Sequence, residues 1–89
     1  MMKITFSYFA QIRQKAGVES EAIEVADGTT AIDVLKTIDH GDEFSGLLFD
    51  ESGALRPVIL FVVNDVPAAP EQGLRDGDQV QIFSPVAGG

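Results

Sequence analysis

The chain has 89 residues, of which 45% are hydrophobic, and 14 acidic against 6 basic side chains give a net charge of −8. A chain of this length forms one small domain around one core. The acidic balance argues against a nucleic-acid partner, because binding to phosphates requires a surplus of lysine and arginine. It argues equally against an anionic membrane surface and favours a partner with a basic face.

The sequence contains no cysteine, which excludes disulfides, thiolate–zinc sites and cysteine nucleophiles. We expect no signal peptide, since Met1-Met2 is followed by Lys3 and by no apolar segment of the required kind. The longest strongly apolar run, Val58 to Val63, is far too short to span a bilayer. These observations lead us to expect a cytoplasmic protein.

The first 28 residues predict two strands joined by a short helix. Residues 3–8 alternate polar and apolar side chains, as in a half-buried strand. Residues 9–16 lose that period and end at Gly17, which predicts a short helical connection. Residues 23–25 predict a second strand that stops at the turn pair Asp27-Gly28.

The clearest helix signal follows, beginning after Thr29 or Thr30, either of which can cap a helix. Its apolar residues recur at helical spacing: Ala31, Val34, Leu35 and Ile38. We expect Gly41 to end this helix. His40, the only histidine, would then lie at its C-terminus, where a cation interacts favourably with the helix dipole. We therefore expect a capping role for His40 and no metal site.

The second half of the chain predicts strands separated by turns. Residues 42–57 are the least regular part and suggest a short helical or irregular stretch that covers the core. Residues 58–63 are continuously apolar, which suits a central strand buried on both faces. Asn64-Asp65 predicts a turn after that strand. Residues 79–83 predict the final strand, and Pro85, which cannot donate a ladder hydrogen bond, ends the sheet.

This order of elements predicts an α+β roll, with a mixed sheet of four to five strands and one main crossover helix. We expect the first and last strands to be neighbours in the middle of the sheet. Residues 1–84 would form the domain, and residues 85–89 a flexible tail ending in two glycines.

The usual catalytic constellations are not recognisable in the sequence. The glycines form no phosphate-binding loop, and several acidic residues occupy turn positions. The remaining candidate for covalent chemistry is the α-carboxylate of Gly89, which ATP could activate by adenylation. Gly88-Gly89 is narrow enough to enter another protein's active site because glycine has no Cβ. A terminus without any function is the alternative.

Two segments carry a resemblance to a known family. Residues 8–17, YFAQIRQKAG, resemble an early Phe-Ala-x-x-Arg-x-x-x-Gly segment, and residues 74–89, LRDGDQVQIFSPVAGG, resemble a closing signature. Both are similar to the ubiquitin-like sulfur carriers of the MoaD/ThiS family, most closely to its MoaD branch. Val63-Asn64-Asp65 also resembles the hairpin that precedes the closing signature. The resemblance implies a ubiquitin-like β-grasp fold and a carrier that has no catalytic activity of its own and no bound cofactor.

In that family an E1-like enzyme uses ATP to adenylate the terminal glycine, and a persulfide donor converts it to a thiocarboxylate. The resemblance therefore implies sulfur carriage for Gly89 and passage through a narrow channel for Gly88. The implied acceptor partner is the large subunit of molybdopterin synthase or another sulfur-accepting enzyme. The implied partner-binding residues are Phe9, Phe61, Phe83, Pro85, Val86, Ala87 and Gly88. For Phe61, in a continuously apolar strand, core packing remains an equal alternative.

Other functions remain open at this stage. The same carrier could serve cysteine, thiamine or tRNA thiolation, and residues 53–57 resemble carriers that donate sulfur to a cysteine synthase. A protein modifier conjugated through Gly89 to lysines would use the same adenylation. A non-covalent binding module with an incidental tail is the remaining possibility.

Overall fold

The structure is a computed structural model, and it describes residues 1–84. The expected tail, residues 85–89, lies outside the described residues. The elements in chain order are β1 (Met2–Tyr8), α1 (Ala10–Ala16), β2 (Ser20–Val25), α2 (Ala31–Thr37), α3 (Asp42–Leu48), β3 (Leu60–Val63), β4 (Val66–Ala68) and β5 (Gln79–Phe83).

The strands form one mixed sheet in the order β2-β1-β5-β3-β4. β1 and β5 pair in parallel, while β1–β2, β3–β5 and β3–β4 are antiparallel. The predicted α+β architecture and the central position of the first and last strands are therefore confirmed. α2 is the expected crossover helix between β2 and β3, and α3, in the same connection, corresponds to the short helical stretch expected within residues 42–57.

The two faces of the sheet differ in burial. Side chains alternate along each strand, and in β1, β3 and β5 one set, which we call the inner face, is at most 5% exposed. The inner-face residues are Met2, Ile4, Phe6, Tyr8, Phe61, Val63, Val80 and Ile82. Side chains of the opposite parity form the outer face, which is at least partly exposed.

The helices contribute the other half of the core. α2 begins as expected, because the Thr30 hydroxyl accepts a hydrogen bond from the Asp33 amide at 3.3 Å. α1 ends at Gly17, whose φ of 80° is the left-handed conformation that glycine adopts readily. The buried helical residues are Ile12, Ala16, Ala31, Val34, Leu35, Phe44 and Leu48.

The segment after α2 differs from the prediction. α2 ends at Thr37, Ile38 is extended with ψ of 125°, and Gly41, with φ of 93°, precedes α3. His40 therefore does not cap a helix, and the prediction of that role was wrong. The physical reason is tertiary contact: the ring of His40 packs edge-on against Phe44 at 5.0 Å. Such contacts outweigh the few tenths of a kcal/mol, roughly, that a dipole interaction supplies at an exposed helix end.

His40 instead belongs to a hydrogen-bonded cluster with Tyr8 and Glu21. The Tyr8 hydroxyl donates to Glu21 Oε2 at 2.5 Å, and His40 Nε2 lies 2.5 Å from the same oxygen. Burial, reinforced by Glu21, raises the pKa of Tyr8, which stays a neutral donor. Burial by itself would raise the pKa of Glu21, but the hydrogen bonds from His40 and Tyr8 lower it below its ordinary value. The cluster ties β1 and β2 to the segment between α2 and α3.

The cluster predicts a pH-dependent stability. Because the folded state lowers the pKa of Glu21, its contribution is present above the ordinary carboxyl pKa of 4.5 and is lost as the pH falls through the folded value. Glu21→Gln should lower the free energy of unfolding by about 1–2 kcal/mol at neutral pH. The difference from the wild type should shrink below the ordinary carboxyl pKa.

The measurement is urea denaturation across the acid range, with Glu24→Gln as the control. Glu24 lies on the same strand with an exposed side chain, so its replacement should leave the stability curve near that of the wild type. A constant gap between Glu21→Gln and the wild type at all pH values would contradict the assignment.

Residues 42–57 form a cover over the core, as expected. Phe44 and Leu48 of α3 are buried, at 1% and 0% exposure. The turn that follows is built by Asp50, whose Oδ1 accepts hydrogen bonds from the amides of Ser52 and Ala54. These contacts give a regular structure to the part of the chain whose sequence pattern was weakest.

β3 differs from the prediction in its start and in its burial. The strand begins at Leu60 rather than Val58, and Leu60 is 45% exposed. It is therefore not buried on both faces, and that expectation was wrong. In residues 1–84 the helices pack only on the inner face, so the apolar side chains of β3 with outer-face parity stay uncovered.

The β3–β4 turn is set by two residues in the left-handed region. Asn64 and Asp65 have φ of 51° and 68°, the conformation of a tight hairpin turn. Asn64 Nδ2 donates to Asp78 Oδ1 at 2.8 Å, and its Oδ1 accepts from the Gln79 amide at 3.0 Å. The predicted turn is confirmed, and the side chain of Asn64 also joins it to β5.

This geometry predicts that Asn64→Ala lowers the free energy of unfolding by about 1–2 kcal/mol, since both hydrogen bonds are lost and alanine disfavours positive φ. Asp65→Gly is the matched control, because it keeps those bonds and relieves strain at the neighbouring position. It should raise the free energy of unfolding by about 0.5 kcal/mol. Equal effects of the two variants in urea denaturation would contradict this account of the turn.

The turn at residues 75–78 holds the first strand against the last. The Lys3 amide donates to Asp76 Oδ1 at 2.7 Å, and the Lys3 carbonyl accepts from the Gly77 amide at 2.9 Å. The Asp78 carbonyl accepts from the Thr5 amide at 3.1 Å. The acidic residues of this turn therefore have structural partners.

Candidate docking surface

The outer face has an apolar end. Its central positions carry uncharged polar side chains, namely Thr5, Ser7, Gln79 and Gln81. Next to them lies a group that we call the outer apolar patch, which consists of Phe9, Leu60, Val62 and Phe83. Polar outer-face positions need no cover, whereas a cluster of large apolar side chains at a surface is typical of a contact site.

The strand register brings the patch together. Leu60 lies directly opposite Phe83 in the antiparallel β3–β5 pair, so both point to the same face. Tyr8 aligns with Ile82 in the parallel β1–β5 pair, which places Phe9 beside Phe83 one residue further on. The Phe9 and Phe83 rings meet edge to face, with centroids 5.8 Å apart and planes at 86°.

Exposure distinguishes the patch from the core. Phe9 is 38% and Leu60 is 45% exposed, while Val62 and Phe83 are half-buried. Leaving aromatic and aliphatic side chains in water forgoes roughly 25 cal/mol for each Å² that burial would remove. An exposed apolar cluster with two aromatic rings already in contact matches the centre of a protein–protein interface.

The structure separates the aromatic residues that the sequence singled out. Phe9 and Phe83 lie on the outer face. Phe61 is 2% exposed on the inner face, so it packs in the core and is not available to a partner. The sequence had left partner binding and core packing as equal alternatives for Phe61. Core packing is the correct one, because strand alternation turns Phe61 inward between Leu60 and Val62. The tail residues Pro85, Val86, Ala87, Gly88 and Gly89 lie outside the described residues.

Leu60 and Val62 were missed as surface residues. The continuous apolar run hid the period of two that would have exposed them. The run itself holds no signal that separates the two parities, because every residue from 58 to 63 is apolar. The sequence could not show that one face of β3 has no helix against it.

The rest of the described surface gives little indication of a catalytic site. A groove of about 570 Å³ is bordered by α2, residues 53–57 and β3, and its ionisable residues are Lys36, Arg56 and Glu71. Within residues 1–84 no group of three or more histidine, cysteine or acidic side chains could hold a metal ion. In the same range no helix is long and apolar enough to cross a membrane.

The topology, with a mixed five-stranded sheet wrapped on helices, defines a ubiquitin-like β-grasp protein. The chain belongs to the ThiS family, whose sequence model matches residues 6–89. This membership makes it a relative of small ubiquitin-like sulfur carriers and confirms the family resemblance noted in the sequence.

Individual relatives agree with this assignment. The molybdopterin synthase sulfur carrier subunit of Chlamydomonas reinhardtii is 30% identical over 93 residues, covering 99% of this chain and 100% of the relative. Small archaeal modifier protein 3 of Haloferax volcanii is 33% identical over the same length and coverage. The crystal structure of SAMP1 from Haloferax volcanii superposes with a TM-score of 0.87 and 25% identity, covering 98% of this chain and 99% of that one.

The division of β3 into core and surface residues is testable by adjacent substitutions. Phe61→Ala should lower the free energy of unfolding by about 3–4 kcal/mol, because it leaves a cavity in the core. Leu60→Ala, one residue away and on the outer face, should change it by less than about 1 kcal/mol. Chemical denaturation measures both values, and equal losses would contradict the assignment of the two faces.

Proposed function

We propose that this protein carries sulfur as a thiocarboxylate on Gly89 and donates it for molybdopterin synthesis. The observation that supports the proposal best is the outer apolar patch at the end of β5. The sequence passes from Phe83 through Ser84 directly to residues 85–89, so a partner on the patch would be close to the start of the tail. The relative named as a molybdopterin synthase sulfur carrier subunit supports the choice of product.

Sulfur is loaded onto Gly89 and released again in four steps. The Gly89 carboxylate attacks the α-phosphorus of ATP, which forms an acyl-adenylate and releases pyrophosphate. The terminal sulfur of a donor persulfide attacks the acyl carbon and AMP leaves, giving an acyl disulfide. A thiolate of the donor then cleaves the sulfur–sulfur bond, which leaves the thiocarboxylate on Gly89 and a disulfide on the donor. The acceptor substrate finally takes the sulfur, and hydrolysis returns the carboxylate.

In this scheme the chain contributes binding and position, while its partners contribute catalysis. An E1-like enzyme holds ATP and adenylates the tail, and the large subunit of molybdopterin synthase receives the loaded tail. Gly88 and Gly89 have no Cβ, which suits them to narrow channels in both active sites. A net charge of −8 would speed encounter with basic surfaces around those sites. We place these steps in the cytoplasm, where ATP is available.

The first experiment is intact mass spectrometry after coexpression with the E1-like enzyme and sulfur donor of the same organism. The expected result is a mass increase equal to one sulfur replacing one oxygen. Since the sequence contains no cysteine, a thiol modification of the carrier cannot produce this shift. Deletion of Gly89 should abolish it.

An unchanged mass, obtained with enzymes that load a known carrier, would contradict sulfur carriage. Transfer of the sulfur to a molybdopterin precursor by the purified large subunit tests the acceptor separately. If the loaded carrier instead supports only cysteine, thiamine or tRNA thiolation, the carrier chemistry holds and the molybdopterin assignment fails.

The docking role predicts that Leu60→Asp slows adenylation by about tenfold to a hundredfold, because burying a carboxylate in an apolar contact is unfavourable. Val66→Asp is the matched control. Val66 is another exposed apolar residue, at 62%, but it pairs with the inner-face residue Val63 across β3–β4. Pyrophosphate release measures both rates, and similar losses in the two variants would contradict docking through the patch.

A second candidate function is protein modification, which the relative named small archaeal modifier protein 3 favours. In that case a lysine amine of a target attacks the acyl-adenylate and forms an amide with Gly89. Conjugates of higher mass that survive thiol reagents and disappear on deletion of Gly89 would support it. Their absence when the E1-like enzyme is active would leave sulfur carriage as the function of the tail.

A further inference from the structure

The residue that follows Phe9 has an unusual backbone. Ala10 has φ of 52°, in the left-handed region where a Cβ is unfavourable. The other such non-glycine residues in 1–84 are Asn64 and Asp65, whose short polar side chains are well suited to it and which form a hairpin turn. Alanine has no polar group to compensate. The strain at Ala10 must be maintained by the structure on both sides of it.

Both sides are fixed. Tyr8, the last residue of β1, is 1% exposed and aligned with Ile82 of β5. On the other side, α1 is anchored by Ile12 and Ala16, which are 2% and 8% exposed. The chain therefore turns from strand to helix within two residues, with Phe9 extended at φ −135° and ψ 152° and Ala10 left-handed.

This turn determines where the Phe9 ring lies. The Phe9 carbonyl accepts the Arg13 amide at 3.3 Å, which ties its backbone to the first turn of α1. Its side chain is consequently directed to the outer face, where it meets Phe83 edge to face at 5.8 Å. Phe9 is 38% exposed, so neighbouring side chains cover only part of the ring.

We propose that Ala10 is a positioning residue for docking: its left-handed backbone holds Phe9 against Phe83, so that the outer apolar patch is preformed for the adenylating partner. The inference rests on the proposed function and deepens it. A ring that is already fixed loses little conformational freedom on binding, which strengthens association without adding a contact. The flanking structure imposes the left-handed turn, and the left-handed well open to alanine is much narrower than the one open to glycine, so the Cβ of Ala10 limits the fluctuations of the backbone beside Phe9.

The test compares two glycine substitutions at strained positions. Ala10→Gly and Asp65→Gly each remove a Cβ from the left-handed region, and each should raise the Tm by about 2–4 °C. Only Ala10→Gly frees the backbone beside the patch. It should raise the KM for the carrier in adenylation by about threefold to tenfold with kcat unchanged. Asp65→Gly lies in the β3–β4 turn and should leave both constants unchanged.

A second measurement does not depend on any enzyme. Nuclear Overhauser contacts between the Phe9 and Phe83 rings should be strong in the wild type and in Asp65→Gly, and weak in Ala10→Gly. Ring contacts and KM that stay at wild-type values in Ala10→Gly would overturn the proposal. If the wild type is not adenylated, the proposed function fails, whereas the ring contacts still decide whether Ala10 positions Phe9.

Discussion

The parallel pairing of β1 with β5 is the constraint on which the rest of the structure depends. It joins the first strand of the chain to the last, with Tyr8 opposite Ile82, so all intervening elements must fit around this central pair. β2 and β3 are added on either side, and the helices between them cover the inner face. The same pairing places the ends of β1 and β5 together, which brings Phe9 to Phe83.

The turn before β5 shows how the chain secures this pairing. Parallel strands so distant in sequence gain nothing from local chain geometry, and closing the connection costs conformational entropy. Backbone hydrogen bonds between Lys3 and Gly77 and between Thr5 and Asp78 join the strands where β5 begins. The Asp76 side chain also accepts a hydrogen bond from the Lys3 amide of β1, and the Asn64 side chain accepts one from the Gln79 amide of β5. The resemblance in residues 74–80 to the closing signature therefore has a structural explanation.

The sheet also separates the core from the outer apolar patch. Its inner face carries the core, and the Tyr8–Glu21–His40 cluster attaches a further segment of the chain on the side of the helices. Its outer face carries the patch, which the core does not require. A partner can therefore bind the patch without disturbing the packing that holds β1 and β5 together. Ala10 follows directly after a buried strand residue, Tyr8, and an exposed aromatic one, Phe9, where β1 turns into α1.

The sequence by itself determined the strands with regular alternation, the capped start of α2, the glycine end of α1 and the hairpin at Asn64-Asp65. It also indicated the family, through residues 8–17 and 74–89, because these features depend on local chemistry or on a recognisable order of residues. The end of α2 and the role of His40 were decided by tertiary contacts that local dipole arguments do not include.

The division of β3 was likewise decided only by the tertiary structure. An apolar run such as residues 58–63 is compatible with burial on one face or on both, and the choice depends on where the helices pack. That packing buries Phe61 and leaves Leu60 exposed, although the two residues are adjacent and equally apolar in character. The sequence thus determined which residues are apolar, and the fold decided which of them are exposed, because exposure is a property of the assembled sheet.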